Sequence, residues 1–167
     1  IADFLDFNHA ALGGGIPVSV MDVDVAARVA ECIAALKLAW PGRMIEQQTD
    51  EPCLGWVDTD RFAQVVINLV NNALTYGDPL QPVRVATRAS AGSVSFSVHN
   101  AGTPIPDALL SHIFEPLRRG ETQVKLGSRS VGLGLYIVRE IGTAHAGTVT
   151  VRSLPLGSMW MSEAPRR

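Results

Sequence analysis

The stretch Asp58 to Gly77, D-T-D-R-F-A-Q-V-V-I-N-L-V-N-N-A-L-T-Y-G, reads as one helix, and the reading of the whole chain turns on it. Asp58 is a suitable N-cap, because a carboxylate accepts the orphan N–H groups of a first turn. Asp60 adds negative charge at the positive end of the helix dipole. Val65, Val66, Leu69, Val70, Ala73 and Leu74 make an apolar stripe of helical period. Gly77 and Pro79 end the helix. Asn68, Asn72 and Tyr76 stand four residues apart and so share one face.

Two amides on one face of a mostly apolar helix need partners. Either they are hydrogen-bonded core amides, or they form a polar rail facing a ligand. In the second case the amide oxygens suit a hard ion such as Mg2+ and the aromatic edge suits a base. The helix alone leaves both readings open.

Composition narrows the classes. A chain of 167 residues is one domain or a domain with a short appendage, and 47% apolar content is sufficient for a core. A formal charge of −2 argues against a general nucleic-acid or membrane surface. Cys32 and Cys53 lack metal-ligand spacing and read as reduced, packed thiols. There is no apolar run of membrane-spanning length and no signal peptide. The chain opens inside a patterned segment, as an excised piece would.

In order, residues 1–12 read as an amphipathic helix with Ile1, Phe4, Leu5 and Leu12 apolar, closed by the joint Gly13-Gly14-Gly15. Ile16–Val20 is expected as a strand and Asp22 to about Trp40 as a helix, closed by Pro41-Gly42. Arg43–Thr49 and Cys53–Val57 are expected as strands. After the central helix come strands over Gln81–Ala89 and Ser93–Asn100, a hairpin around Ala91-Gly92. A short helix follows over Asp107–His112. Gly132–Ala144 is the last expected helix, and Thr148–Ser153 and Ser158–Ser162 the last strands. This order predicts an α/β two-layer sandwich, with a mixed, mostly antiparallel sheet and helices on one face.

Two glycine-bearing turns have the chemistry of a pocket. In V-H-N-A-G-T-P-I-P, Val98 to Pro106, Asn100 ends a strand and Gly102 allows close backbone approach. The alternative is an ordinary strand-exit loop. In S-V-G-L-G-L-Y-I-V-R-E-I, Ser130 to Ile141, two glycines open a helix, whose free N–H groups and dipole favour an anion. It is neither the dinucleotide fingerprint, since Ile137 holds the third glycine position, nor a P-loop. Between them, Arg118, Arg119, Lys125 and Arg129 face only Glu115 and Glu121, which reads as a solvated loop or as a lid over phosphates.

These stretches, in this order, resemble the catalytic ATP-binding domain of sensor histidine kinases of two-component systems, over about residues 16–163. N-L-V-N-N-A-L-T-Y-G looks like the asparagine box, V-H-N-A-G-T-P-I-P the first glycine box, I-F-E-P-L the phenylalanine box and G-L-G-L-Y-I-V the second glycine box. G-S-M-W at Gly157 looks like a weaker last one. The first glycine box and I-F-E-P-L-R-R-G are similar to those of phytochrome-like kinases.

The resemblance implies a Bergerat-type ATP-binding fold with ATP and Mg2+ as cofactors. It places Asn72 on Mg2+ with Asn68 beside it as the catalytic pair. Tyr76, Asn100, Gly102 and Ile105 then line the base, Gly132, Leu133, Gly134 and Leu135 cradle phosphates, and Arg118 and Lys125 close from the lid. Asn100 replaces the usual aspartate and accepts the adenine amino hydrogen without its charge. Thr75 replaces a basic residue, Ser130 the first glycine of its box, and Leu117 departs in the lid.

The resemblance also makes residues 1–15 the end of a dimerisation and phosphoacceptor helix with its joint, and 16–167 the catalytic domain. No histidine here is followed by an acidic residue, so phosphate would go to a histidine outside this chain. Implied partners are ATP, that histidine hairpin, a response regulator and a second copy within the parent, with a monomeric state open to this piece alone; nucleic acid is not among them. The domain is expected to be cytoplasmic, in a soluble or membrane-attached parent. A hydrolysing relative of the gyrase or heat-shock type would need a glutamate where Asn68 stands. A degenerate nucleotide-binding or interaction module is the remaining alternative.

Overall fold

The computed structural model describes residues 2–49, 52–116, 132–154 and 157–165. Its elements are α1 (Ala2–Ala11), β1 (Met21–Asp24), α2 (Val25–Ala39), β2 (Ile45–Thr49), β3 (Leu54–Val57), α3 (Thr59–Tyr76), β4 (Val83–Ala89), β5 (Ser93–Ala101), α4 (Asp107–Leu110), α5 (Gly134–Ala144), β6 (Thr148–Leu154) and β7 (Gly157–Pro165).

The expected α/β sandwich is present. A five-stranded sheet runs β2-β4-β5-β7-β6, and β1 pairs with β3 in a separate two-stranded ribbon. Only β2 and β4 are parallel; the other neighbours are antiparallel. Val94, Phe96, Val98 and Asn100 alternate into the interior from β5, as Val83, Val85 and Thr87 do from β4. That period of two puts one sheet face against the helices.

The core is aliphatic. Leu69, Leu74, Val65, Val66 and Val70 of α3 are buried with Val25, Val29 and Ile33 of α2 and with Ile137, Val138 and Ile141 of α5. Phe62 meets Phe96 edge to face at 6.2 Å, which joins the first turn of α3 to the centre of the sheet. Cys32 and Cys53 are buried and form no disulfide among the described residues. Burial pushes the Cys32 thiol up, which makes it an inert core group rather than a nucleophile.

The strand expected over Ile16–Val20 does not form. Pro17 lacks an N–H, and the partner strand β3 is four residues long and takes Met21–Asp24 instead, with Met21 opposite Val57 and Asp24 opposite Leu54. The α2 start moves accordingly: Asp24, not Asp22, is the N-cap, accepting from the Ala27 N–H at 3.2 Å. At the second glycine box the helix starts at Gly134, because Gly132 has φ +76°, outside the helical region. Among the described residues no helix is long and apolar enough to cross a membrane.

Candidate functional site

α3 carries the candidate site, and its start is tied by several hydrogen bonds. The Asp58 carboxylate accepts from the N–H groups of Ser19 at 2.7 Å and of Asp60 and Arg61 at 3.0 Å. Burial alone pushes this carboxyl up; the Ser19, Arg61 and Asp60 donors, with His145, outweigh that and hold it below the usual carboxylate range. His145, buried at the end of α5, accepts the Asp58 N–H at Nε2 and donates from Nδ1 to the Ile141 carbonyl. Through these two bonds the ring ties the end of α5 to the start of α3.

Along the rail, Asn68, Asn72 and Tyr76 are half-buried. Asn68 donates from Nδ2 to the Gly134 carbonyl at 3.3 Å, so the polar face of α3 meets the start of α5. A Cβ on Gly134 would still clear that amide, at 3.9 Å, so the Asn68 amide packs close above the first helical residue. The α5 N-cap residue, Leu133, offers no side-chain cap, and the first helical bond is from Ile137 N–H to Leu133. The N–H groups of the first turn are thus free of intrahelical partners and aimed out of the helix end, as an anion requires.

At the other end of the rail, two chain segments meet closely. The Asp78 N–H donates to the Ala101 carbonyl at 2.8 Å. Gly77 leaves α3 with φ −74° and ψ 162°, so no left-handed turn calls for glycine there. Close approach does: an added Cβ would lie 2.5 Å from the Ala73 carbonyl oxygen and 3.0 Å from the Asn100 Cβ. Gly102 has φ +137° and packs its backbone on Asp78, where a Cβ would sit 3.2 Å from the nitrogen. Asn100 is buried, with its Nδ2 3.4 Å from the Ala101 carbonyl. Ile105, packed on the core, accepts from the Ser153 hydroxyl at 3.0 Å. Tyr76 precedes this junction by one residue, and Asn68 and Tyr76 are about 12 Å apart along the axis at 1.5 Å per residue.

Asn68, midway along α3, thus meets Gly134 at the start of α5, and Gly77, next to Tyr76 at the C-terminal end of α3, meets Asn100 and Gly102. Asn72 lies between the two on the helix, Gly132, Leu133 and Leu135 flank Gly134 in the chain, and Ile105 follows Gly102 by three residues. Arg118, Lys125 and Ser130 lie outside the described residues, as do Leu117, Arg119 and Arg129. Thr75 donates its hydroxyl back to the Asn71 carbonyl at 2.7 Å, so it serves the helix.

An Asn amide oxygen is a hard donor of the kind that Mg2+ accepts. Among the described residues no cluster of three His, Cys, Asp or Glu side chains could bind a metal. The Asn72 amide makes no hydrogen bond within the described residues, which leaves its Oδ1 available as one hard oxygen ligand.

Several residues escaped the sequence reading. Gly157 was only a weak box; a Cβ there would lie 2.0 Å from the Asn100 carbonyl oxygen, so glycine is what lets β7 begin under the site. Its place directly after Pro155-Leu156 in the sequence is the available signal. Trp40 donates from Nε1 to Asn71 Oδ1 at 3.0 Å, and Arg43 reaches the Leu74 carbonyl. Asp6, buried on α1, accepts from Arg61 at 2.7 Å and Gln64 at 3.0 Å, and Phe7 meets Tyr136 edge to face at 5.6 Å. Through these contacts α1 lies on α3 and α5. Between α1 and α3 is a cavity of about 480 Å3, with Asn68 in its wall. Nothing local in W-P-G-R or in D-F-L-D-F points across so many intervening residues.

Residues 57–163 match the family described as histidine kinase-, DNA gyrase B-, and HSP90-like ATPase. The chain is 34% identical over 151 residues to a bacteriophytochrome of Pseudomonas aeruginosa, covering 90% of this chain and 21% of that protein. It is 36% identical over 147 residues to the probable sensor histidine kinase TcrY of Mycobacterium tuberculosis, covering 87% of this chain and 31% of that protein. The chain thus spans about a fifth to a third of these curated relatives. Among solved structures, the nucleotide-free catalytic domain of histidine kinase ThkA matches with a TM-score of 0.77 and 27% identity, over 89% of this chain and 97% of that one. Full-length ShkA in complex with AMPPNP matches with a TM-score of 0.80 and 27% identity, over 98% of this chain and 34% of that one.

Proposed function

Because the chain belongs to the histidine kinase-, DNA gyrase B-, and HSP90-like ATPase family, we propose that it works as the ATP-binding catalytic domain of a sensor histidine kinase. It presents the γ-phosphate of Mg-ATP to a phosphoacceptor histidine elsewhere in the parent protein, for relay to a response-regulator aspartate. The observation that carries this reading is the Asn68 bond to Gly134, which joins the polar rail of α3 to the open N-terminus of α5.

The base lies between Tyr76 and Asn100, with Gly102 admitting it and Ile105 packing beside it. Asn100 accepts the amino hydrogen through its amide oxygen. The phosphates reach Gly132, Leu133, Gly134 and Leu135, whose backbone donors favour negative charge. Asn72 would hold Mg2+ through Oδ1. Bound there, the ion neutralises phosphate charge. Arg118 and Lys125 would close over the phosphates.

Asn68 separates this chemistry from hydrolysis. Its amide takes no proton at neutral pH, and its Nδ2 is already committed to Gly134. A water on the γ-phosphate would find no carboxylate base there, whereas an imidazole needs none, having a lone pair at neutral pH. The protein's contribution is then positioning and charge neutralisation. Residues 1–15 take the part of the phosphoacceptor helix end and joint, and the parent would dimerise through its hairpin.

Calorimetry of ATP binding with and without Mg2+, on the chain and on Asn72→Ala, tests the proposal. Saturable, Mg2+-dependent binding that the variant loses supports it. Absence of binding at millimolar ATP would favour a degenerate module.

A further inference from the structure

Given the nucleotide site proposed above, we infer that Arg43 is a positioning residue for its base-recognition end. α2 finishes at Trp40, and the turn through Pro41 and Gly42 returns to Arg43, whose N–H donates to the Trp40 carbonyl at 3.1 Å. The half-buried Arg43 guanidinium then spans two places. Nη1 donates to the Leu74 carbonyl in the last turn of α3, and Nη2 to the Asp78 carbonyl, beyond the helix, at 3.4 Å.

A residue that only capped α3 would need the first of these bonds. The second lies past Gly77, on the peptide segment that also holds the sheet. Asp78 accepts from Arg43 at its carbonyl and donates from its N–H to Ala101 at 2.8 Å. Ala101 follows Asn100, whose Cβ limits how near Gly77 can come. Gly102 in turn rests its backbone on Asp78. Arg43 thus ties the last turn of α3, which bears Tyr76, to the segment that sets the depth of Asn100 and Gly102. A planar fork with fixed donor spacing can hold both carbonyls in one geometry, and an ammonium cannot.

Among the described residues the buried Arg43 Nε has no hydrogen-bond partner, so within them the guanidinium is held by its Nη groups. Trp40 grips the same helix one turn earlier, its Nε1–H donating to Asn71 within the helix rather than to the segment beyond it. The two side chains therefore separate stabilisation of α3 from placement of the base pocket.

The test compares ATP with ITP, which carries an oxygen in place of the 6-amino group, by calorimetry with Mg2+ on the intact chain, alongside thermal melting. Arg43→Lys keeps a cation at the helix end but loses the fork. The expected result is a melting temperature near that of the unsubstituted chain, with ATP affinity about tenfold lower and ITP affinity little changed, so that discrimination collapses. Arg43→Ala should do the same with a lower melting temperature. Trp40→Phe should lower the melting temperature and keep the discrimination. Discrimination preserved in Arg43→Lys overturns the inference and leaves the nucleotide site standing. Failure of the unsubstituted chain to bind ATP overturns the site reading, and this one with it. If Arg43→Ala does not fold, Arg43→Lys and Trp40→Phe carry the test.

Discussion

The side chain of Asn68 donates to the backbone carbonyl of Gly134 at 3.3 Å, across sixty-six residues of sequence. The bond orients the amide, with Nδ2 on α5 and Oδ1 turned away from that carbonyl. Asn68→Asp removes the donor and sets a negative charge against a carbonyl oxygen. We expect a loss of roughly 1–3 kcal/mol in stability, with weaker ATP binding. Thermal melting and calorimetry would read both, and an unchanged melting temperature would show that the bond is immaterial.

Gly157 and Asn100 make a second contact that sequence spacing hides. A methyl at Gly157 would lie 2.0 Å from the Asn100 carbonyl oxygen and 2.9 Å from the Ala101 Cα, both backbone atoms that cannot step aside alone. Gly157→Ala should destabilise by about 1–3 kcal/mol, as overpacking does, and weaken ATP through displacement of Asn100. A variant that melts and binds like the parent would contradict this.

Acid should loosen the start of α3. The folded-state Asp58 carboxyl is held below its ordinary value despite burial, chiefly by the Ser19, Arg61 and Asp60 N–H groups. Folding therefore favours the ionised form. The resulting stability is fully present above an unfolded value of about 3.9 and is lost as pH falls through the folded value. Asp58→Asn keeps a capping oxygen but loses the charge, so it should flatten the acid limb of a denaturation-against-pH curve and lower stability at neutral pH by about 0.3–1 kcal/mol. Parallel curves at all pH values would count against the assignment.

Asp6 helps to hold α1 on the domain. Its side chain is 12% exposed and that of Arg61 22% exposed, with Gln64 donating to the same carboxylate oxygen. Asp6→Ala leaves the Arg61 cation half-buried without its partner. We expect a loss of roughly 1–3 kcal/mol and faster amide exchange over α1. A double-mutant cycle with Arg61→Ala should give a coupling above about 0.5 kcal/mol; additivity would show that the pair is not coupled.

The helix that bears the candidate site was legible from residues 58–77. The cap, the apolar stripe and the four-residue recurrence of Asn68, Asn72 and Tyr76 are local properties of one helix, and α3 forms from Thr59 to Tyr76 with Asp58 as its cap. The strand expected at Ile16–Val20 failed for a complementary reason. A strand exists only by pairing, and β3 pairs with Met21–Asp24.

What the sequence by itself determined is therefore whatever a helix or hairpin settles within a few turns: the rail, the glycine-opened start of α5 and the class of fold. Tertiary structure alone decided which distant groups complete them. Asn68 meets Gly134, Gly157 slips beneath Asn100, Arg43 bridges Leu74 and Asp78, and His145 accepts the Asp58 N–H. Each partner satisfies a polar group, or fits a gap, that exists only once α2, α3, α5 and the sheet are packed. Helical period and strand alternation carry no record of such pairings, because they describe one element at a time.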